Sequence, residues 1–225
     1  MAKRLPNRRW PRFSAGGLTV PTFVGAGAGS EIATGGGNLT PTYPGNSAGD
    51  LFLAVGVAYL SSISDPSGWT LQAGPATAFG NQNNYVWTRN TRSSGSESGS
   101  VSFPITDRGN ARIYAFSGVA VAAFIEAFAT ASGTGTVSNP TITPAAAGRL
   151  ACMCWMGYST AGTIAPGGSP SGGTWAEGAE YVGSSDIFYQ ELQTAALGAG
   201  AISGGDTTVG GANQAFCHGF ALVGI

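Results

Sequence analysis

The feature that most constrains this chain is that it repeats itself. Gly49-Asp50-Leu51 and Gly148-Arg149-Leu150 each open a long apolar run. Each run then enters a Ser/Pro/Gly loop that delivers a tryptophan, Ser67-Gly68-Trp69-Thr70 in the first half and Gly173-Thr174-Trp175-Ala176 in the second. Tyr85-Val86-Trp87-Thr88 then matches Ile187-Phe188-Tyr189-Gln190, and Ala111–Gly118 parallels Ala215–Gly224. The offset stays close to one hundred residues throughout. A repeat of this kind means that one supersecondary unit is used twice. The 225 residues therefore hold two similar halves, about 49–118 and 148–224.

Two such halves can fold as separate domains or as two sheets of one sandwich. No charged or proline-rich linker separates them, and Pro140 to Gly148 reads as a strand and a turn. The expectation is a single domain over 18–225 in which the halves interleave, as in jelly rolls.

Short runs rich in β-branched and aromatic residues, bounded by Gly, Pro, Ser and Asn, read as strands. An extended segment lies around Thr19–Val24. The candidate strands are Leu51–Tyr59, Thr70–Ala73, Tyr85–Arg89, Ser100–Ile105, Arg112–Phe116, Phe124–Thr130, Leu150–Tyr158, Trp175–Tyr181, Ile187–Gln193 and Ala215–Val223. Their spacing suits an antiparallel sandwich rather than βαβ units. Val119–Ala131 has an apolar run that a helix also tolerates, but its β-branched and aromatic content and the Ser-Gly-Thr-Gly after it favour a strand. The fold class expected is all-β, an antiparallel β-sandwich of jelly-roll type built from two similar halves, with an extended N-terminal arm.

Charge is scarce and unevenly placed. Only 9% of residues are charged, against about 25% in a typical domain. Charge normally keeps proteins apart in solution, so a surface this bare suits a subunit covered by neighbours. Lys3, Arg4, Arg8, Arg9 and Arg12 are five of the ten basic residues, and no acid precedes Glu31. The eleven acids and the other five arginines leave the body at −6 against +5 for the first dozen residues. Residues 1–17 thus form a basic arm, with Pro6, Trp10, Pro11 and Phe13 between the charges and Gly16-Gly17 at its end. Such an arm either stays solvated or finds an acidic protein surface or nucleic acid. No base-reading element accompanies it, so nucleic acid is the less expected partner.

The arm lacks the apolar stretch that a secretory signal carries after its charges. The runs Leu51–Leu60 and Val119–Phe128 are too short to span a bilayer, so no membrane role is expected. Three cysteines do not make a disulfide framework, which fits folding in a reducing cytoplasm.

Catalytic and metal motifs are weak. Lys3 is the sole lysine, so Gly25-Ala26-Gly27-Ala28-Gly29-Ser30 has no phosphate-binding lysine after it. Gly45-Asn46-Ser47-Ala48-Gly49 matches a nucleophile-elbow string, but a loop precedes it and a strand follows, the reverse of what that elbow needs. Cys152 and Cys154 lie two apart and share a strand face, while adjacent Cys217 and His218 face opposite ways. A site of three cysteines and one histidine is conceivable on paper only, and no metal or other cofactor is expected. Glu177 and Glu180 are three apart and would diverge in a strand, which argues against a paired acid and base. Trp69, Trp87 and Trp175, with Tyr85 and Tyr189, are the candidates for stacking on a sugar ring. The equivalent places of Trp69 and Trp175 in the repeat favour a shared packing role instead.

The ordered series Gly49–Tyr59, Pro66-Ser67-Gly68-Trp69-Thr70-Leu71, Tyr85-Val86-Trp87 and Ala111-Arg112-Ile113-Tyr114-Ala115-Phe116-Ser117-Gly118-Val119 resembles a pattern of tailed-bacteriophage structural proteins. Ile125-Glu126, Pro140–Pro144 and Gly148-Arg149-Leu150 continue it, so the likeness spans about 18–225. The resemblance implies a jelly-roll-like virion component, often trimeric: a capsid decoration protein, a head spike or fibre base, or a tail-associated subunit. No catalytic residues come with it. The expected function is therefore a non-enzymatic virion protein, made in the host cytoplasm. Lys3, Arg4, Arg8, Arg9, Trp10 and Arg12 would bind major capsid or tail subunits. The alternative is a receptor- or carbohydrate-binding module of a tail fibre.

Overall fold

The computed structural model describes residues 19–78, 82–90, 96–120, 124–134, 136–158, 174–183, 188–197, 206–208 and 214–225. All regular structure among them is β. The first half contributes β1 (Thr22–Ala26), β2 (Ser30–Ile32), β3 (Gly37–Leu39), β4 (Leu51–Tyr59), β5 (Thr70–Ala78), β6 (Gln82–Asn90), β7 (Phe103–Ile105) and β8 (Arg108–Ser117). The second contributes β9 (Ile125–Gly133), β10 (Thr136–Ser138), β11 (Arg149–Tyr158), β12 (Ala176–Val182), β13 (Phe188–Leu197), β14 (Asp206–Thr208) and β15 (Gln214–Val223). Of the strand and turn expected between Pro140 and Gly148, the structure keeps an isolated bridge at Ile142 and bends over 145–148 before β11.

The halves do not interleave as expected. Each builds a complete antiparallel sheet of its own, in the order β1-β8-β4-β6-β5 with β2 also on β8, and β9-β15-β11-β13-β12. The two orders are the same once β9 is matched to β1 and β2. Each half also carries a two-stranded ribbon, β3 with β7 and β10 with β14. The sandwich thus has four layers: ribbon, sheet, sheet, ribbon.

Strand pairing gives the exact match between halves. Leu51, Leu53, Val55 and Val57 of β4 correspond to Leu150, Cys152, Cys154 and Met156 of β11, an offset of 99 (51 to 150). Gly49 and Gly148, one turn earlier in each half, both take the left-handed backbone (φ 94° and 80°) that a glycine turn supplies. Beyond the loop after these strands the offset becomes 106. Trp69 corresponds to Trp175, Asn84, Val86 and Thr88 to Gln190, Leu192 and Thr194, and Arg112, Tyr114 and Phe116 to His218, Phe220 and Leu222. The aromatic strands in β6 and β13 are therefore matched four residues away from the sequence alignment.

The core between the sheets is made of equivalent positions from both. Leu51, Leu53, Val55, Val57, Val86 and Phe116 pack against Leu150, Cys152, Cys154, Met156, Leu192 and Leu222. Gln190 on β13 reaches Asn110 on β8, and Phe23 on β1 lies against Gly178 on β12. Strand order is thus reversed between the facing sheets, with β4 over β11 at the centre. That is the geometry of a twofold axis along the strands, an isologous contact within one chain. At one end the two repeat termini meet on this axis: Val119 pairs with Gly224, and Ile225 N donates to Gly118 O at 3.1 Å.

The outer faces are also buried, each under its own ribbon. In the first half Leu39, Phe103 and Ile105 cover Phe52, Ala54, Trp87 and Ile113; in the second Val137 and Ile142 cover Ala151, Met153, Trp155 and Cys217. Both halves keep the core volume but take it from different strands. Gly56 of β4 makes room for Trp87 of β6: a Cβ there would lie 2.9 Å from the indole. At the place corresponding to Gly56 stands Trp155, and at the place of Trp87 stands Gln193. Each indole N–H donates to a side-chain oxygen, Trp87 to Asp65 Oδ1 at 2.7 Å and Trp155 to Asn139 Oδ1 at 2.8 Å, as buried tryptophans require.

Candidate functional site

The arm residues Lys3, Arg4, Arg8, Arg9, Trp10 and Arg12 lie outside the described residues. Of the three candidate stacking tryptophans, Trp87 is fully buried and stacked on Tyr85 with ring centroids 5.0 Å apart. Trp69 is only 8% exposed and sits between Tyr43 and Phe103. Trp175 is partly buried against the outer cluster of the second half. A sugar platform needs an open ring face, and Trp87 and Trp69 offer none. For Trp69 this packing is the role that its equivalence with Trp175 in the repeat favoured.

The nucleophile-elbow string closes a turn. Asp50 Oδ2 accepts from Ser47 N at 2.8 Å, and Asp50 N donates to Ser47 O at 3.2 Å, which fixes the entry to β4. Cys152 and Cys154 share the inner face as their spacing predicted, and His218 lies opposite Cys154. Cys217 points the other way, into the outer cluster, with its Sγ 3.8 Å from Met153 Sδ. The four residues do not converge. Burial pushes the Cys152 and Cys217 thiols well above their usual range and brings His218 down to about 4. His218 Nδ1 shares a 2.9 Å hydrogen bond with Thr130 Oγ1.

The register of β12 shifts between Glu177 and Ala179, so Glu177 stands opposite Gln193 and Glu180 opposite Glu191. The side chains of Glu177 and Glu180, expected to diverge, lie outside what the structure describes.

Two features went unseen in the sequence. The first is a polar patch between the sheets. Fully buried Gln190 donates from Nε2 to Asn110 Oδ1 at 3.0 Å and to Val55 O at 3.2 Å, and accepts from Tyr114 OH at 3.4 Å. Gln82 and Asn84 are also fully buried, and their amide atoms have no partner among the described residues.

The second is a pair of lateral clefts, one on each side of the sandwich. A smaller cleft of about 300 Å³ lies between Thr70 and Gln72 of β5 and the Phe124-Ile125 entry to β9. A larger one, about 480 Å³, lies between Val20–Phe23 and the β12 edge at Ala176 and Gly178, floored by Leu150, Thr194 and Ala196. The twofold relates them, since Ala176 and Gly178 correspond to Thr70 and Gln72. The smaller side chains on β12 account for the greater volume.

What these elements present among the described residues is buried aromatic packing and two lateral grooves. No protein-family model, no curated protein and no solved structure matches this chain.

Proposed function

We propose that this chain is a non-enzymatic structural subunit of a tailed-phage virion, a capsid decoration protein or the base of a head fibre or spike, anchored through its N-terminal arm. The observation that carries the reading is where the phage-like motif series falls. Gly49–Tyr59 forms the turn and central strand β4, Trp69 and Trp87 fill the outer core, and Ala111–Val119 is β8 with the axial turn. The series is a framework rather than a reaction centre, as a subunit that serves by shape requires. The scarcity of charge supports coverage by neighbouring subunits, and a homotrimer is the assembly the resemblance implies.

In this reading the arm's five cations bind acidic surfaces on major capsid or tail subunits, where each arginine can hold a carboxylate with two hydrogen bonds. The test is incorporation into particles. A chain lacking residues 1–13 should still fold and be missing from purified virions. Normal incorporation of the truncated chain would overturn the anchoring role. A full-length chain absent from particles altogether would overturn the virion reading.

A further inference from the structure

We propose that Leu60, in the turn after β4, anchors the body to a neighbouring subunit by entering an apolar pocket that carries a carboxylate at its rim. The inference rests on the virion reading above and deepens it, because it names a contact made by the body beside that of the arm.

The observation is a strain that brings the chain no return. Left-handed backbone is costly for a residue with a Cβ, and a bulky residue there is an outlier. Among the described residues this region holds nine glycines together with Leu60 and Ala127, at φ 56° and 54°. Ala127 uses its methyl group, which packs against the outer cluster of the second half. Leu60 has no such use: it is 57% exposed and packs against none of the three buried clusters. A chain with 37 glycines has the unstrained solution at hand. The repeat does not require leucine either, since the offset of 99 that matches β4 to β11 sets Ser159 against Leu60 in the sequence. A strained residue that its own fold does not need points to a role outside the molecule.

The turn holds the leucine in place. Asn83 Nδ2 donates to Ser61 O at 2.7 Å, Ser61 Oγ to Arg108 O at 3.3 Å, and Ile63 N to Tyr85 OH at 3.3 Å. An apolar group fixed in this way loses little freedom on binding. Next along the chain, the ring of Tyr59 lies under the Arg108 guanidinium, 5.0 Å from ring centroid to Cζ. Arg108 makes no ion pair with a described residue, and its Nε is buried without a hydrogen-bond partner. A fixed leucine with a cation beside it fits an apolar pocket edged by a carboxylate.

The experiment compares Leu60→Gly, Leu60→Asn and Leu60→Met with the parent in two assays. One is urea unfolding of the free protein, and the other is titration of purified protein onto particles made without it. Glycine and asparagine relieve the backbone, so their unfolding midpoints should rise by about 0.3 M. Their affinity for particles should fall about tenfold, the loss of one buried leucine. A residue of purely structural value would not gain stability while losing binding. Methionine keeps both the strain and the apolar reach, so it should match the parent in both assays. Arg108→Gln should lower affinity about threefold. Glycine and asparagine variants that are no more stable than the parent, or that bind as well, would overturn the proposal. Unchanged binding of Arg108→Gln would overturn the charged rim. A parent protein that does not bind such particles would overturn the virion reading itself, and this contact with it.

Discussion

Replacing Gln190 with leucine tests whether the buried amide bridge helps to fix how the two sheets face each other. Leucine is close to glutamine in volume, so the substitution leaves little cavity. It removes the bonds to Val55 O and Asn110 Oδ1, and the long contact with Tyr114 OH. Asn110 is fully buried, and its Nδ2 already has no partner among the described residues. Stripping Oδ1 as well leaves the whole amide desolvated, a cost of about 1–3 kcal/mol, to which the lost bond at Val55 adds about 1 kcal/mol. The better burial of leucine offsets part of this, so a net loss of about 2 kcal/mol is expected. With a urea m value of about 3 kcal/mol/M, the unfolding midpoint should fall by about 0.7 M.

The double variant Gln190→Leu, Asn110→Leu supplies the control. Replacing both partners with apolar groups removes the stranded amide, so it should recover most of the loss, with a coupling of about 1 kcal/mol or more. The related half already contains this solution in part, since Phe216 stands where Asn110 would. A single variant within about 0.5 kcal/mol of the parent, or a double variant equal to the sum of its singles, would refute the argument.

Three further outcomes follow from the packing. Gly56→Ala should cost about 1–3 kcal/mol by overpacking, because Trp87 is held by Asp65 and Tyr85 and cannot move aside; an unchanged denaturation midpoint would contradict this. His218 is neutral when folded and charges more readily unfolded, so its contribution is complete above pH 6.5 and is lost as pH falls toward about 4, by about 3 kcal/mol in all. The stability difference between the parent and His218→Gln should therefore be flat above pH 6.5 and shift steadily below it, and parallel pH profiles would refute the assignment. Cys152, Cys154 and Cys217 are buried, so a thiol reagent at pH 8 should label none in the native protein and all three in urea, with native labelling the contrary result.

Much of the fold was legible in the chain because duplication and strand composition are local signals. Gly49-Asp50-Leu51 and Gly148-Arg149-Leu150 marked β4 and β11, and all ten long candidate segments contain or overlap strands. The match between Tyr85-Val86-Trp87-Thr88 and Ile187-Phe188-Tyr189-Gln190 slipped by four residues for a physical reason. Bulk moved from β6 in one half to β11 in the other, so aligning by aromatic content aligns the wrong positions. Sheet membership was illegible because period two says that a strand has two faces but not which strand lies beside it. Here both faces of each main sheet are covered, so Leu51 to Ala58 read as one continuous apolar run. The lateral clefts and the Gln190 bridge arise from contacts between distant segments, and no local pattern encodes them.

The meeting of the repeat ends on the axis has a consequence for how freely this protein can be rewired. Thr19 sits beside Ile225, and Val119, where the first half ends, pairs with Gly224 near the end of the second. Ile225 corresponds to Val119, so a linker of similar length from Ile225 to the start of β1 would reproduce a connection that the fold uses once. A chain opened between Ala120 and Phe124 and rejoined in this way would read its halves in the opposite order. Every strand would keep its neighbours. In this architecture the order of the halves is a matter of wiring, and the body is indifferent to which one comes first.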